Sequence, residues 1–427
     1  MATKKQTQKA IQVCADWQGM RDPILMGTLF ATPSRGKEVF SFEYAPSWLK
    51  SPHAQSLDPD LGLFAGPQYA RDGYDNFGLF LDSSPDRWGR VLMQRREAQQ
   101  AQAEGRDIRT LMESDYLLGV YDGHRMGALR FRLSEDTPFL DNQENMAAPP
   151  WTKLRDLEHA SLQLERDNAE NESDYLKWLN MLIAPGGSLG GARPKASVVD
   201  EVGHPWIAKF PSRRDEINIG KWEYLVYLLA KDAGINVAQS EVRNFSGEYD
   251  TFLTKRFDRT NTGERLHFAS AMTLLGKKDG DGGDTGVSYL DLADFLIKYG
   301  AQVNQDLEQL WRRIVFYIYV SNTDDHLRNH GFMLTDRGWV LSPAYDMNPV
   351  ATAGGLSLNI SKEDNRQDLD LAKSMAVYFR VEVEQADTII NEVKSAVKNW
   401  KSLAKKLSIP SREVNLMTNA FHLADAD

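Results

Sequence analysis

Residues 322–346 read Asn-Thr-Asp-Asp-His-Leu-Arg-Asn-His-Gly-Phe-Met-Leu-Thr-Asp-Arg-Gly-Trp-Val-Leu-Ser-Pro-Ala-Tyr-Asp. Asp324 is followed five positions later by Asn329. That spacing suits phosphoryl transfer, in which a carboxylate takes a hydroxyl proton and a nearby amide oxygen holds Mg²⁺. Gly331 to Leu334 is a short apolar run, Thr335-Asp336-Arg337-Gly338 a turn, and Trp339 to Leu341 a second run. A hairpin so placed returns the chain to its start and brings Asp346 beside Asn329. Two oxygen ligands and one further carboxylate suit a hard cation that bridges phosphates.

In isolation an Asp-Asp-His cluster is more often a solvated turn. Here a strongly apolar helix runs straight into it. Leu307, Leu310, Trp311, Ile314, Val315 and Ile318 follow the i, i+3, i+4, i+7 pattern of a buried face. A buried helix that delivers polar side chains to one point favours a site. His326 and His330 stand i, i+4, a spacing that can bind zinc. The metalloprotease pattern requires Glu directly after the first His, and Leu327 stands there, which speaks against zinc.

Working toward the N-terminus, Trp206-Ile207-Ala208-Lys209-Phe210 is an apolar run broken by one lysine, the form of a kinase phosphate-binding strand. A buried lysine needs a partner. The helix expected around Trp222 to Gly234 supplies Glu223, so a Lys209–Glu223 ion pair is expected. A lysine that snorkels from an edge strand is the competing reading. Upstream lies Pro185-Gly-Gly-Ser-Leu-Gly-Gly-Ala-Arg-Pro-Lys195, with four glycines in six residues. Glycines allow positive φ and close approach of backbone N–H groups to an anion. The segment is not a Walker A loop, because Ala192 follows Gly191 where Lys-Ser or Lys-Thr is required. With Arg193 and Lys195 following at once, it reads as a nucleotide-covering hairpin.

These elements together resemble the HipA family, serine/threonine kinase toxins of bacterial toxin–antitoxin pairs. The resemblance is carried by Ser188-x-x-Gly-Ala-x-x-Lys195, Ile207-Ala-Lys209-Phe, Arg256-Phe-Asp-Arg259, Thr323-Asp-x-His-x-x-Asn329 and Pro343-x-Tyr-Asp346, in that order. The N-terminal third adds Gly27-Thr-Leu-Phe30, Phe42-Glu-Tyr44, Leu57-Asp-Pro59 and Ser84-Pro-Asp-Arg-Trp-Gly89. The resemblance implies an α+β, kinase-like bilobal fold with a β-rich N-terminal subdomain and a mainly helical C-terminal lobe. It implies Asp324 as catalytic base, Asn329 and Asp346 as Mg²⁺ ligands, and Lys209 on the ATP phosphates. Gly190, Gly191, Ala192, Arg193, Pro194 and Lys195 would cover those phosphates. Lys255-Arg256-Phe257 would be the hinge that meets adenine, and His326, Leu327, Arg328 and Tyr345 would complete the nucleotide contacts. Ser188 would be an autophosphorylated serine. Two positions depart from the family: Asp325 stands where a small residue is frequent, and Lys255 where Glu is frequent. A helix-turn-helix antitoxin is implied as partner, with operator DNA reached only through it, and the acceptor would be a protein such as an aminoacyl-tRNA synthetase. A nucleotide-binding co-repressor without catalysis and a small-molecule kinase are the alternatives.

Composition bounds the rest. A chain of 427 residues is long enough for two or three domains. A net charge of −10 argues against broad nucleic-acid binding by this chain alone. No apolar run approaches the ~20 residues of a membrane helix, and the polar N-terminus shows no signal peptide. One cysteine, Cys14, fits a reducing cytoplasm. Three parts are expected: a β-rich segment 1–135, a nucleotide-binding lobe 136–258 and a helical catalytic lobe 259–427, with the polar, proline-containing stretch Ser134 to Pro150 as the linker between the first two. Gly276-Lys-Lys-Asp-Gly-Asp-Gly-Gly-Asp-Thr-Gly286 resembles a calcium loop, but the twelfth position from Asp279 is Leu290 where an EF-hand needs Glu. A mobile loop is expected there.

Overall fold

The computed structural model describes residues 8–142, 148–186, 193–245, 247–352 and 354–426. The chain is α+β and divides into two compact units: residues 1–213 with 258–269, and residues 214–257 with 270–427.

The first unit opens with β1 (Lys9–Ala15), β2 (Ile24–Ser34), β3 (Lys37–Tyr44) and β4 (Gln68–Tyr69), joined later by β5 (Leu129–Arg132). They form one sheet in the order β4-β3-β2-β1-β5. The β2–β3 register closes at Ser34↔Lys37, with Arg35 at φ 46° and Gly36 at φ 82° between them. Two consecutive positive φ values give the hairpin turn whose twist matches that of paired strands. One face of the sheet buries Phe40, Phe42 and Phe131, and Phe80 packs on it with ring centroids 5.4 Å from Phe42 and 6.1 Å from Phe131. Helices α1 (Arg87–Glu104), α2 (Leu154–Leu164) and α3 (Tyr175–Gly186) follow. The unit then runs into the hairpin of β6 (Lys195–Val199) and β7 (Pro205–Lys209).

The second unit begins with α4 (Ile219–Asp232), whose N-cap Asn218 accepts a hydrogen bond from Lys221 N, and the hairpin of β8 (Ser240–Arg243) and β9 (Thr251–Lys255). The short strand β10 (Phe268–Ser270) marks the chain's return into this unit. Helices α5 (Tyr289–Tyr299) and α6 (Val303–Val320) lead to the hairpin of β11 (Gly331–Thr335) and β12 (Gly338–Leu341). Every residue of the apolar stripe expected on α6 is buried, from Leu307 to Ile318. Helix α7 (Val383–Val397) and shorter helices complete the unit, where Trp400 stacks on Phe421 at 4.4 Å between ring centroids. No helix among the described residues is long and apolar enough to cross a membrane.

Candidate active site

The loop that carries the candidate acid follows directly from α6. That helix stops at Ser321, which adopts a left-handed φ of 49° and anchors its hydroxyl on Ala420 O at 2.9 Å. The abrupt stop turns the chain out of the core, so that Asn322 is buried and Asp324 is exposed. The two adjacent aspartates thus lie in opposite environments. Asp325 is fully buried and accepts Ser357 N–H at 3.0 Å, with His330 Nε2 3.7 Å from its other oxygen. Burial pushes its carboxyl above the usual range, against the pull of His330 and the Ser357 amide. A carboxyl so enclosed cannot meet an acceptor hydroxyl, whereas the exposed Asp324 can.

Asn329 is buried, and its Nδ2 donates to Asp324 O at 2.7 Å. That bond commits the amide nitrogen to the loop, so Oδ1 is the atom of this side chain that could meet a cation. The β11–β12 hairpin has the expected two-residue turn, with Thr335 opposite Gly338. Gly338 sits at φ 127°, and a Cβ there would stand 2.6 Å from Tyr299 O, so glycine is required. Past the hairpin Ser342 N–H donates to Gly331 O at 2.9 Å, and Tyr345 OH donates to Arg328 O at 2.7 Å. The chain therefore returns to the loop as expected. Asp346 follows at φ 57°, a conformation that Asp and Asn tolerate better than other side chains and that is frequent at functional positions. Asn348 Nδ2 lies 3.5 Å from Asp346 Oδ1, and Asn348 N–H donates to Asn322 Oδ1 at 3.0 Å. Neither asparagine was marked by sequence spacing, although Asn348 stands only two residues past Asp346.

A carboxylate and an amide oxygen, with phosphate oxygens and water to complete the shell, fit Mg²⁺, which keeps several non-protein ligands. Among the described residues no three His, Cys, Asp or Glu side chains gather as a metal cluster. Of the other residues expected at the nucleotide, Leu327 is buried, His326 is partly buried, and Arg328 pairs with Asp279 at 3.3 Å. Phe257 stacks near Tyr345 with ring centroids 5.6 Å apart. Arg256 is buried just past the end of β9. Lys255 N–H is committed to Gln239 O at 2.8 Å, so a hinge here would use other backbone groups of the segment. Glu223 is buried on α4.

The expected phosphate-side residues belong to the first unit. Lys195 and Lys209 stand directly opposite each other in the β6–β7 register, Lys195 buried and Lys209 half-buried. The hairpin is closed by Phe210 N–H on Pro194 O at 2.9 Å and Arg193 Nε on Phe210 O at 3.0 Å. Ser188, Gly190, Gly191 and Ala192 lie outside the described residues. The Arg256-Phe-Asp-Arg259 motif proves partly architectural. Fully buried Asp258 accepts Gly127 N–H at 2.9 Å and holds Arg259 Nη1 at 2.7 Å within the first unit.

An α+β chain with a kinase-like fold and a catalytic-type loop after a buried helix is the class these features define. Residues 187–400 match the HipA-like C-terminal domain family, half of the chain, and the chain belongs to the HipA family. It is 26% identical to a candidate kinase of Haemophilus influenzae over 39% of this chain and 53% of that protein. It is 32% identical to the serine/threonine-protein kinase toxin HipA of Shewanella oneidensis, over 30% of this chain and 33% of that one. The chain thus spans about half or less of the length of these curated relatives. HipA of Shewanella oneidensis MR-1, solved with HipB and its operator DNA, superposes with a TM-score of 0.61 over 97% of this chain and 95% of that one. At 17% identity that likeness shows the shared fold.

Proposed function

We propose that this chain is an ATP- and Mg²⁺-dependent serine/threonine protein kinase of the toxin type, with Asp324 as general base. The observation that carries the reading is the split between the two neighbouring aspartates. The exposed one stands five residues before Asn329, and the buried one is locked away from any acceptor. In this role Asp324 takes the acceptor hydroxyl's proton, while Asn329 Oδ1 and Asp346 would hold the cation. Bound Mg²⁺ would neutralise the phosphate charge during transfer. Lys209 and Lys195 would take phosphate charge, Lys209 would be oriented by Glu223, and Gly190 to Lys195 would cover the nucleotide. Adenine would meet the segment Lys255-Arg256-Phe257 and residues around His326, Leu327, Arg328 and Tyr345.

The acceptor class is a protein serine or threonine, a translation component such as an aminoacyl-tRNA synthetase being the candidate. A HipB-like helix-turn-helix antitoxin is the proposed partner, through which operator DNA would be reached, and the cytoplasm is the proposed compartment. Ser188 is the proposed autophosphorylation position, because a phosphoserine among the loop glycines would repel ATP phosphates. Mass spectrometry of wild-type and Asp324→Asn protein exposed to ATP tests that step; Ser188 should be modified only in the wild type.

The kinase reading is tested by transfer from γ-labelled ATP to the chain itself and to casein. Wild type should transfer with Mg²⁺ and not without it. Asp324→Asn should be silent while retaining ATP affinity, since the base acts on the acceptor and not on the nucleotide. Full activity in Asp324→Asn would overturn the assignment. Phosphoproteomes taken after brief expression of both forms would identify the acceptor and separate a protein kinase from a small-molecule kinase or a co-repressor without catalysis.

A further inference from the structure

We propose that Ser357 is the positioning residue of the candidate base, and that it ties the glycine-rich segment 276–286 to the loop carrying Asp324. The proposal rests on Asp324 being that base. Ser357 comes from the stretch after the hairpin, eleven residues past Asp346, and no local motif marks it. Its hydroxyl donates to Thr323 O at 2.8 Å, and its backbone N–H donates to Asp325 Oδ1 at 3.0 Å. One residue therefore grips the chain immediately before and immediately after Asp324. The hydroxyl fixes the preceding carbonyl, and the amide fixes the following side chain. Asp324's carboxylate is held by neither bond, so the grip sets its direction without occupying it.

Asp325 gains a role from this arrangement. Its Oδ1 is the acceptor for Ser357, and its own carbonyl lies 3.2 Å from His330 Nε2. The departure from a small residue at this position thus supplies a buried acceptor that a small side chain would lack. Replacing the acid by Asn keeps an acceptor oxygen, while Ala removes it and orphans a buried N–H.

The outer side of Ser357 continues the chain of contacts. Gly283 N–H donates to Ser357 O at 2.7 Å, and Asn359 Nδ2 donates to Gly283 O at 3.0 Å. A Cβ on Gly282 would stand 2.9 Å from Ser357 O, and one on Gly283 would stand 2.8 Å from Asn359 Oδ1. These two glycines are required by close approach, whereas Gly276, Gly280 and Gly286 take positive φ. The segment makes a second attachment through Asp279, 3.3 Å from Arg328 on the same loop. Whatever displaces segment 276–286 therefore pulls on both sides of Asp324.

The test compares Ser357→Ala, Ser357→Thr, Asp325→Ala, Asp325→Asn and Gly283→Ala with wild type and Asp324→Asn. Transfer from γ-labelled ATP to casein is measured with kcat and KM for ATP separated, alongside thermal stability and hydrogen exchange of amides 322–330. Ser357→Ala and Asp325→Ala should lower kcat by about 10²-fold, as expected for a misplaced catalytic group, at unchanged KM for ATP. Their loop amides should exchange faster. Ser357→Thr and Asp325→Asn should restore kcat, because each keeps the bonding atom. Gly283→Ala should act like Ser357→Ala. Unchanged kcat in Ser357→Ala and Asp325→Ala, with Asp324→Asn silent, would overturn the positioning role and leave the kinase reading intact. Equal losses in the Asn and Ala variants of Asp325, together with lowered thermal stability, would overturn it too and mark a packing role. Silence of wild type and Asp324→Asn alike would refute the kinase reading, and the positioning role with it.

Discussion

Asp122 in the first unit and Asp324 in the second are used in opposite ways. In the first, Asp122 is buried and enclosed by arginines. Arg130 reaches its carboxylate at 2.5 Å, and Arg265 reaches it at 3.2 Å and its carbonyl at 2.7 Å. Beside it the fully buried Arg125 donates to the carbonyls of Ser83, Leu117, Val120 and Leu140, and burial depresses its guanidinium to about 9. In the second unit Asp324 stands in solvent and enters no ion pair among the described residues. A carboxylate already matched by guanidinium groups holds a fold together. One aimed outward, with its backbone held on both sides, can meet a substrate.

The sharpest break of that contrast is Asp324→Asn. It should lower transfer by about 10²- to 10⁴-fold, the usual contribution of a general base. Its thermodynamic stability should change by no more than about 0.5 kcal/mol, as for other exposed substitutions. Denaturant unfolding of the same preparation measures the second quantity. A large stability loss would place Asp324 with Asp122.

The mirror experiment is Asp122→Ala. Removing one partner from a buried ion cluster leaves uncompensated guanidinium charge and costs about 3–5 kcal/mol. Denaturant unfolding of the full chain should show this loss, and ATP affinity per folded molecule should be unchanged. A reduced affinity at full folding would show that the cluster does more than hold the fold.

A smaller effect is expected at Asp346, where Asn preserves both the size and the tolerance of positive φ. Asp346→Asn should weaken Mg²⁺·ATP binding by roughly 10- to 100-fold, the scale of a disturbed metal site. Adenosine binding without metal should barely change. Calorimetry with both ligands checks this, and equal losses would make the residue structural.

The smallest effect concerns Asp306, a buried acid on α6 whose oxygen accepts Leu341 N–H at 3.1 Å. Burial raises its carboxyl to about 6. A folded-state value above the unfolded one favours the protonated fold, so stability from this group is present at low pH and is lost as pH rises from about 4 through about 6. Asp306→Asn keeps the acceptor and should remove that slope, stabilising the second unit by on the order of 2 kcal/mol at neutral pH. Thermal unfolding at acid and neutral pH measures it. Asp58 in the first unit, raised to about 6 by burial, should keep its own slope over the same window.

Local pattern decided much of this protein in advance. The stripe Leu307 to Ile318 specified a buried helix because its period is that of one helical face. The runs around Thr335 to Gly338 specified a hairpin because turn chemistry and alternation agree. The Asp324/Asn329 spacing and the Arg-Phe-Asp-Arg motif were legible for the same reason, since each lies within a few residues of chain. Burial and long-range partners were not legible. The spacing to Asn329 favoured Asp324, but nothing local gives the burial of either aspartate: Asp324 is exposed and Asp325 fully buried. Ser357 reaches back over thirty residues to grip Thr323 and Asp325, and Gly283 meets it from over seventy residues upstream. Within 276–286, Gly282 and Gly283 serve close approach while Gly276, Gly280 and Gly286 take positive φ, a division that only the neighbouring atoms and the backbone reveal. Sequence determined which groups could do chemistry. Tertiary structure alone decided which carboxylate faces solvent, because side-chain environment is set by distant segments that no local pattern encodes.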